Sequence, residues 1–166
     1  MKAVVPCLIL LVAAAPSRAD EKTAEFEKHT FAEPNGTKLP YRLLKPEQVE
    51  PGKKYPLVLV LHGWGERGTD NEKQLKDFGP LFLKPDVRKR FPCFVLMPQA
   101  SGSWVMHPDF DKPIRLTKTP TVSLAMTFDL VGTCLKKLPV DHDRLYLTGY
   151  SNGACGVWEL LEREPR

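Results

Sequence analysis

Five consecutive residues carry the most legible chemistry: Gly149-Tyr150-Ser151-Asn152-Gly153. A serine hydroxyl is a weak nucleophile until something exposes it and takes its proton. A sharp turn with small flanking residues does the first of these. It holds the serine in strained backbone and lets a following helix pack close. The flanks fit such a turn. Leu145-Tyr146-Leu147-Thr148 mixes apolar, aromatic and β-branched types, which predicts a strand. Val157, Trp158, Leu160 and Leu161 have helical spacing. Strand, turn, helix with a serine at the tip is the context of a nucleophile elbow. Ser151 is therefore the candidate nucleophile. The backbone N–H of Asn152, at the positive end of the helix, is placed to stabilise an oxyanion.

A second stretch bears on the same chemistry. Tyr55–Leu61 (YPLVLVL) is an unbroken apolar run, the kind of strand that lies buried on both faces of a mostly parallel sheet. It leads into His62-Gly63-Trp64-Gly65-Glu66-Arg67-Gly68. The loop after this strand supplies the second oxyanion amide in enzymes with such an elbow. Glycines on both sides let the backbone at Trp64 approach a ligand, so Trp64 N–H is the candidate donor. His62 reads as a loop-shaping histidine, with a catalytic base as the alternative. Glu66 and Arg67 read as solvated or internally paired. Ala100–Thr119 is a long polar loop holding Ser101, Ser103, Trp104 and His107, and it leaves the C-terminal end of a strand, where open α/β sheets bind ligands. Trp104 is a candidate for lining a substrate cleft or, alternatively, an anchor for the loop. Tyr150 is a second candidate for the cleft. His107 reads as a surface residue. His142 starts the elbow strand, roughly 20 Å from Ser151, out of reach as a base.

The elements that must position these residues follow in chain order. Glu25–Ala32 and Leu39–Leu44 are predicted edge strands around the turn signal Pro34-Asn35-Gly36. Thr69-Asp70-Asn71-Glu72 reads as a capping box opening a helix that ends before Pro85. Phe91–Pro98 is a further buried strand. Thr119-Pro120, as N-cap and first helical residue, opens a helix whose buried stripe is Leu124, Phe128, Val131, Leu135 and Leu138. Val140-Asp141-His142-Asp143 is the turn into the elbow strand. The fold class is α/β, a mostly parallel sheet with flanking helices.

Composition sets the outer limits. The chain has 166 residues, 42% of them hydrophobic and 27% charged, as in an ordinary globular domain. Lys2 and Arg18 account for two of the four net positive charges. No basic stripe with interleaved aromatics exists, so no nucleic-acid partner is expected. Met1–Ala19 has a charged start, an apolar run and Ser17-Arg18-Ala19, the pattern of a secretory signal peptide. The mature chain would begin at Asp20, carry no membrane span, and be secreted or periplasmic. Residues 20–166 would form one domain. Of the four cysteines, Cys7 leaves with the signal. Cys93, Cys134 and Cys155 read as buried thiols, and Cys93–Cys134 is the one bridge the topology permits. No spacing makes a metal site, and no cofactor is expected.

With LHGWGERGTDNEKQL, VLMPQ, SGSWV and DRLYLTGYSNGACGVWEL in view, the chain resembles the secreted bacterial esterases and predicted peptidases of the α/β-hydrolase superfamily. These stand near feruloyl and acetyl-xylan esterases, polyhydroxybutyrate depolymerases and the prolyl oligopeptidase catalytic domain. The resemblance covers about Tyr55–Glu164. It implies Ser151 as nucleophile, Trp64 and Asn152 as oxyanion-hole residues, and a small-molecule or polysaccharide-linked ester as substrate. Many relatives carry Met-Gly-Gly after the serine; Asn152-Gly153-Ala154 is closer to the depolymerases and feruloyl esterases. The alternatives are a serine peptidase of prolyl oligopeptidase type and a non-catalytic fragment or binding protein. One departure stands out. The triad of this superfamily runs Ser, then Asp or Glu, then His. After Ser151 come Glu159, Glu162 and Glu164, on or just past the outgoing helix, but no histidine. The expectation is therefore the N-terminal part of such a hydrolase, with the elbow strand left at a sheet edge and the 166-residue chain a poor catalyst by itself.

Overall fold

The structure, a computed structural model, describes residues 23–106 and 117–163. The proposed signal peptide, His107 and Glu164 lie outside the described residues. Five strands form one sheet: β1 (Glu27–Ala32), β2 (Lys38–Leu44), β3 (Tyr55–Leu61), β4 (Phe94–Pro98) and β5 (Val140–Gly149). Their spatial order is β1-β2-β4-β3-β5. β1 and β2 pair antiparallel, as do β2 and β4, whereas β3 pairs parallel with both β4 and β5. Helices α1 (Gly79–Phe82) and α2 (Pro85–Arg90) connect β3 to β4, α3 (Val122–Lys137) connects β4 to β5, and α4 (Asn152–Arg163) leaves β5.

The unbroken apolar strands are buried on both faces because alternate side chains feed two separate cores. Leu57, Leu59 and Leu61 of β3, with Phe94 and Leu96 of β4, join Trp104, Leu124, Met126, Leu130 and Leu160 on the face covered by α3 and α4. Val60, Val95 and Met97 join Phe26, Leu44 and Leu75 on the other face, with Val58 packed against them. Every residue of β4 is buried.

Several boundaries differ from the sequence reading, each for a local reason. Thr69 does not open a helix. The carboxylate that caps is Asp70, whose Oδ1 accepts the N–H groups of Glu72 and Lys73, both at 2.9 Å. The expected single helix is broken into a one-turn 3₁₀ helix (Lys73–Leu75), α1 and α2. Pro80 and Pro85 lack the N–H that a helix interior needs, so each sits in a first turn instead. β4 starts at Phe94, because Phe91 closes α2 and is exposed. The cap of α3 is Thr121, not Thr119: its hydroxyl accepts the Leu124 N–H at 3.2 Å and donates to the Trp104 carbonyl at 2.8 Å. β5 runs back to Val140. The expected turn survives inside it as an irregularity between Val140 and Leu145, where Asp141 Oδ1 accepts the Asp143 N–H. The buried residues of α3 are Leu124, Met126, Thr127, Leu130 and Cys134. Of the expected stripe Leu124 is buried, while Phe128, Val131, Leu135 and Leu138 are partly buried against the same core, the first three also lining an apolar groove beside β5. β5 has a neighbour on one side only in the described sheet, as expected, so the groove stays open.

Candidate active site

The turn between β5 and α4 is built by close backbone approach. Ser151 has φ +51°, a left-handed conformation that costs energy for a residue with a Cβ, and it is exposed. A Cβ on Gly149 would lie 2.7 Å from the Gly153 backbone, and one on Gly153 would lie 2.1 Å from the Leu61 carbonyl oxygen. Backbone cannot yield as a side-chain end can, so both positions demand glycine. Gly156 extends the rule: its Cβ would stand 2.8 Å from that of Trp104. The N–H of Ala154 bonds the Ser151 carbonyl at 2.9 Å, which starts α4 immediately behind the serine.

Asn152 is buried, and its side chain is fully engaged: Oδ1 accepts the Trp104 N–H at 2.9 Å and Nδ2 donates to Ser103 Oγ at 3.0 Å. Trp104 is not a cleft wall. It is wholly buried, its indole N–H donates to the His62 carbonyl at 2.9 Å, and its ring packs 4.9 Å from the His62 ring. It is the anchor of the loop, the alternative reading. His62 is buried as well, with both ring nitrogens committed. Nδ1–H donates to the Gly63 carbonyl at 2.7 Å and Nε2 accepts the Ala100 N–H at 3.0 Å, contacts that assign the tautomer. Burial lowers its pKa below the ordinary histidine value. It is a neutral, loop-shaping residue.

Trp64–Glu66 forms a 3₁₀ turn after β3. The Trp64 ring is exposed and carries the Arg67 guanidinium 3.5 Å above it. Arg67 Nε donates to the Trp64 carbonyl, and Glu66 is buried with its carboxylate on the Tyr150 hydroxyl. Both charged residues are thus internally engaged. Tyr150 contacts Asp77 Oδ2 as well, at 2.5 Å, so its hydroxyl is tied into the protein rather than offered to a cleft. Burial first, then these carboxylates, push the phenol pKa well above the usual range.

Sequence reasoning missed the polar knot that holds this turn. Gln99 is fully buried at the end of β4. Its Nε2 donates to the Glu66 carbonyl and to Asp70 Oδ1, both at 3.1 Å, and its Oε1 accepts the Asn71 N–H at 2.6 Å. Asn71, at φ +58°, bonds the carbonyls of His29 and Tyr41 from its amide nitrogen. Burial pushes the Asp70 carboxyl up, but the Lys73 backbone and side chain, the Glu72 N–H and Gln99 together hold it well below the usual range. The signal available was Asn71 beside Asp70, since asparagine tolerates positive φ.

Among the described residues no histidine hydrogen-bonds Ser151. His29 pairs with Glu27 on β1, and His142 Nε2 lies 3.3 Å from the Leu135 carbonyl oxygen. Glu159 is paired with Arg163 at 2.6 Å. The thiols of Cys93, Cys134 and Cys155 are free, so the topologically permitted bridge is not formed; burial raises the Cys134 pKa to about 11. No metal-binding cluster occurs among the described residues, and none of their helices is long and apolar enough to cross a membrane.

No family model and no curated protein matches this chain. Solved structures do. A thermostable esterase is 34% identical with a TM-score of 0.76, over 87% of this chain and 39% of that one. A ferulic acid esterase from Anaeromyces mucronatus, solved with ferulic acid, is 16% identical with a TM-score of 0.51, over 78% and 49% of the two chains. The esterase LipW from Mycobacterium marinum is 19% identical with a TM-score of 0.53, over 82% and 38%. The chain thus spans between 38% and 49% of the length of these three structures. In strand order, in the turn at Ser151 and in its structural neighbours, the chain has the α/β-hydrolase fold, and the solved structures that it resembles are esterases.

Proposed function

We propose that this chain is the nucleophile-bearing part of a carboxylic-ester hydrolase. The observation that carries the reading is Ser151, exposed at φ +51° on a strand-turn-helix junction whose two glycines cannot be replaced. Ser151 Oγ gives up its proton and attacks the ester carbonyl while the amides of Trp64 and Asn152 hold the developing oxyanion. The bond to the alcohol oxygen then breaks, the alcohol leaves with that proton, and water hydrolyses the acyl-serine to release the acid and restore the hydroxyl. The described histidines are committed elsewhere, so the proton acceptor comes from outside the described residues. The Asn152-Gly153-Ala154 sequence favours an ester, small or polysaccharide-linked, over a peptide amide. The apolar run before Ser17-Arg18-Ala19 supports export, with cleavage after Ala19; recovery of intact Met1 from outside the cytoplasm refutes that part.

The test uses a fluorophosphonate probe and p-nitrophenyl and feruloyl esters beside proline-containing peptide amides. The chain is assayed alone and fused in frame to the remaining length of the thermostable esterase. The fusion labels and hydrolyses esters faster than amides, and Ser151→Ala abolishes both. The chain alone retains at most about 10³–10⁴-fold over water, the level left without a triad member. Labelling that persists in Ser151→Ala sinks the assignment.

A further inference from the structure

Tyr150 does more than occupy its place in the pentapeptide. Its ring fills the space that a side chain at residue 63 would take: a Cβ on Gly63 would come within 2.6 Å of it. Its hydroxyl reaches two carboxylates on separate segments, Glu66 in the 3₁₀ turn and Asp77 just before α1, the latter at 2.5 Å. The Phe78 ring packs 5.9 Å from the Tyr150 ring. Trp64 lies between the residue under the ring and the residue under the hydroxyl.

We propose that Tyr150 is a positioning residue that clamps the 63–66 turn onto the elbow and so sets the Trp64 amide relative to Ser151. The inference rests on the roles given above to Ser151 and Trp64. The geometry is over-determined. Tyr150 directly precedes Ser151, so a shift of the turn against the elbow must either drive Gly63 into the ring or stretch the hydroxyl contacts. The far side of the turn is held independently, where Gln99 Nε2 bonds the Glu66 carbonyl at 3.1 Å. A turn held on two sides gives its central amide one position, which is what an oxyanion donor needs before charge develops. Glycine at 63 follows from the same packing, and a buried acid at 66 from the need for an acceptor within the turn.

Tyr150→Phe keeps the ring and removes the hydroxyl, which separates clamp from fold. Amide hydrogen exchange is read on the full chain for wild type, Tyr150→Phe, Glu66→Gln and Glu66→Ala. The Glu66 amide, bonded to the Gly63 carbonyl at 3.4 Å, exchanges at least tenfold faster in Tyr150→Phe, while the β3 amides are unchanged. Glu66→Gln, which keeps an acceptor oxygen, preserves most of the protection that Glu66→Ala loses. In the fused hydrolase, Tyr150→Phe lowers kcat about tenfold with KM within about twofold, the pattern of an interaction realised in the transition state. Unchanged exchange at Glu66, or equal acceleration in β3, overturns the clamp. Faster exchange with wild-type kcat overturns the positioning role. Ser151→Ala labelling in the same fusion reports separately on the nucleophile, so the two readings fail by different results.

Discussion

At the scale of single residues, the backbone at Ser151 carries the clearest conformational cost. A left-handed conformation costs a residue with a Cβ roughly 1–2 kcal/mol that glycine does not incur. Ser151→Gly should therefore raise the unfolding free energy by about 1 kcal/mol in urea titrations and, on the proposed role of Ser151, end acyl transfer. A neutral or destabilising result would show that the serine conformation is not strained. His62 makes a second case, set by pH. Its folded pKa lies below the unfolded value of about 6.5, because burial disfavours the charged ring. The unfolded state then binds more protons, and stability is complete above about pH 6.5 and lost as pH falls below it. Asp70 acts in a separate window: its depressed carboxyl contributes above about pH 4, and that contribution is lost on further acidification. Urea midpoints should decline between pH 7 and 5, and His62→Asn should flatten that decline. An equal slope in both proteins would refute the assignment.

At the scale of elements, α3 is tied to the candidate site by its cap. The Thr121 hydroxyl accepts from Leu124 and donates to the carbonyl of Trp104, so one side chain starts the helix and fixes the loop. Thr121→Ala should cost about 1–2 kcal/mol in thermal or urea unfolding, and Thr119→Ala close to nothing. The reverse ranking would restore Thr119 as the cap. The sequence placed a threonine cap before this helix but two residues early, because Thr119-Pro120 has the right types. Which threonine turns its hydroxyl back onto the first helical amide depends on where the chain leaves the Trp104 anchor. That anchor is a contact made at long range in sequence.

At the scale of the whole molecule, the edge at β5 dominates. Tyr146 and Leu145 are exposed on it, and apolar grooves flank it on both faces, one lined by Phe128, Val131 and Leu161 and the other by Val58, Phe82 and Phe91. An uncovered strand edge with apolar neighbours is a template for pairing with another chain. The chain should self-associate at micromolar concentration, and Tyr146→Lys should shift it toward monomer in sedimentation velocity. A wild-type chain that stays monomeric throughout would refute this.

Local structure was legible from the sequence wherever near neighbours decide it. Two glycines around a serine, a short run of apolar, aromatic and β-branched residues before and a helical pattern after specified the turn at Ser151. Unbroken apolar runs specified β3 and most of β4, because a strand buried on both faces needs no partner's identity to be recognised. Everything that depended on which distant groups meet was decided only by the tertiary structure. Trp104 became an anchor because its indole N–H finds the His62 carbonyl. His62 became neutral because both ring nitrogens find backbone partners. The expected stripe of α3 is only partly buried beyond Leu124, since in the described sheet β5 has no neighbour on its outer side to cover Phe128, Val131 and Leu135. Gln99, Asn71 and Asp70 showed no common pattern in the chain, because a buried polar knot is defined by hydrogen bonds closing in space, and residue types at 70, 71 and 99 do not reveal that closure.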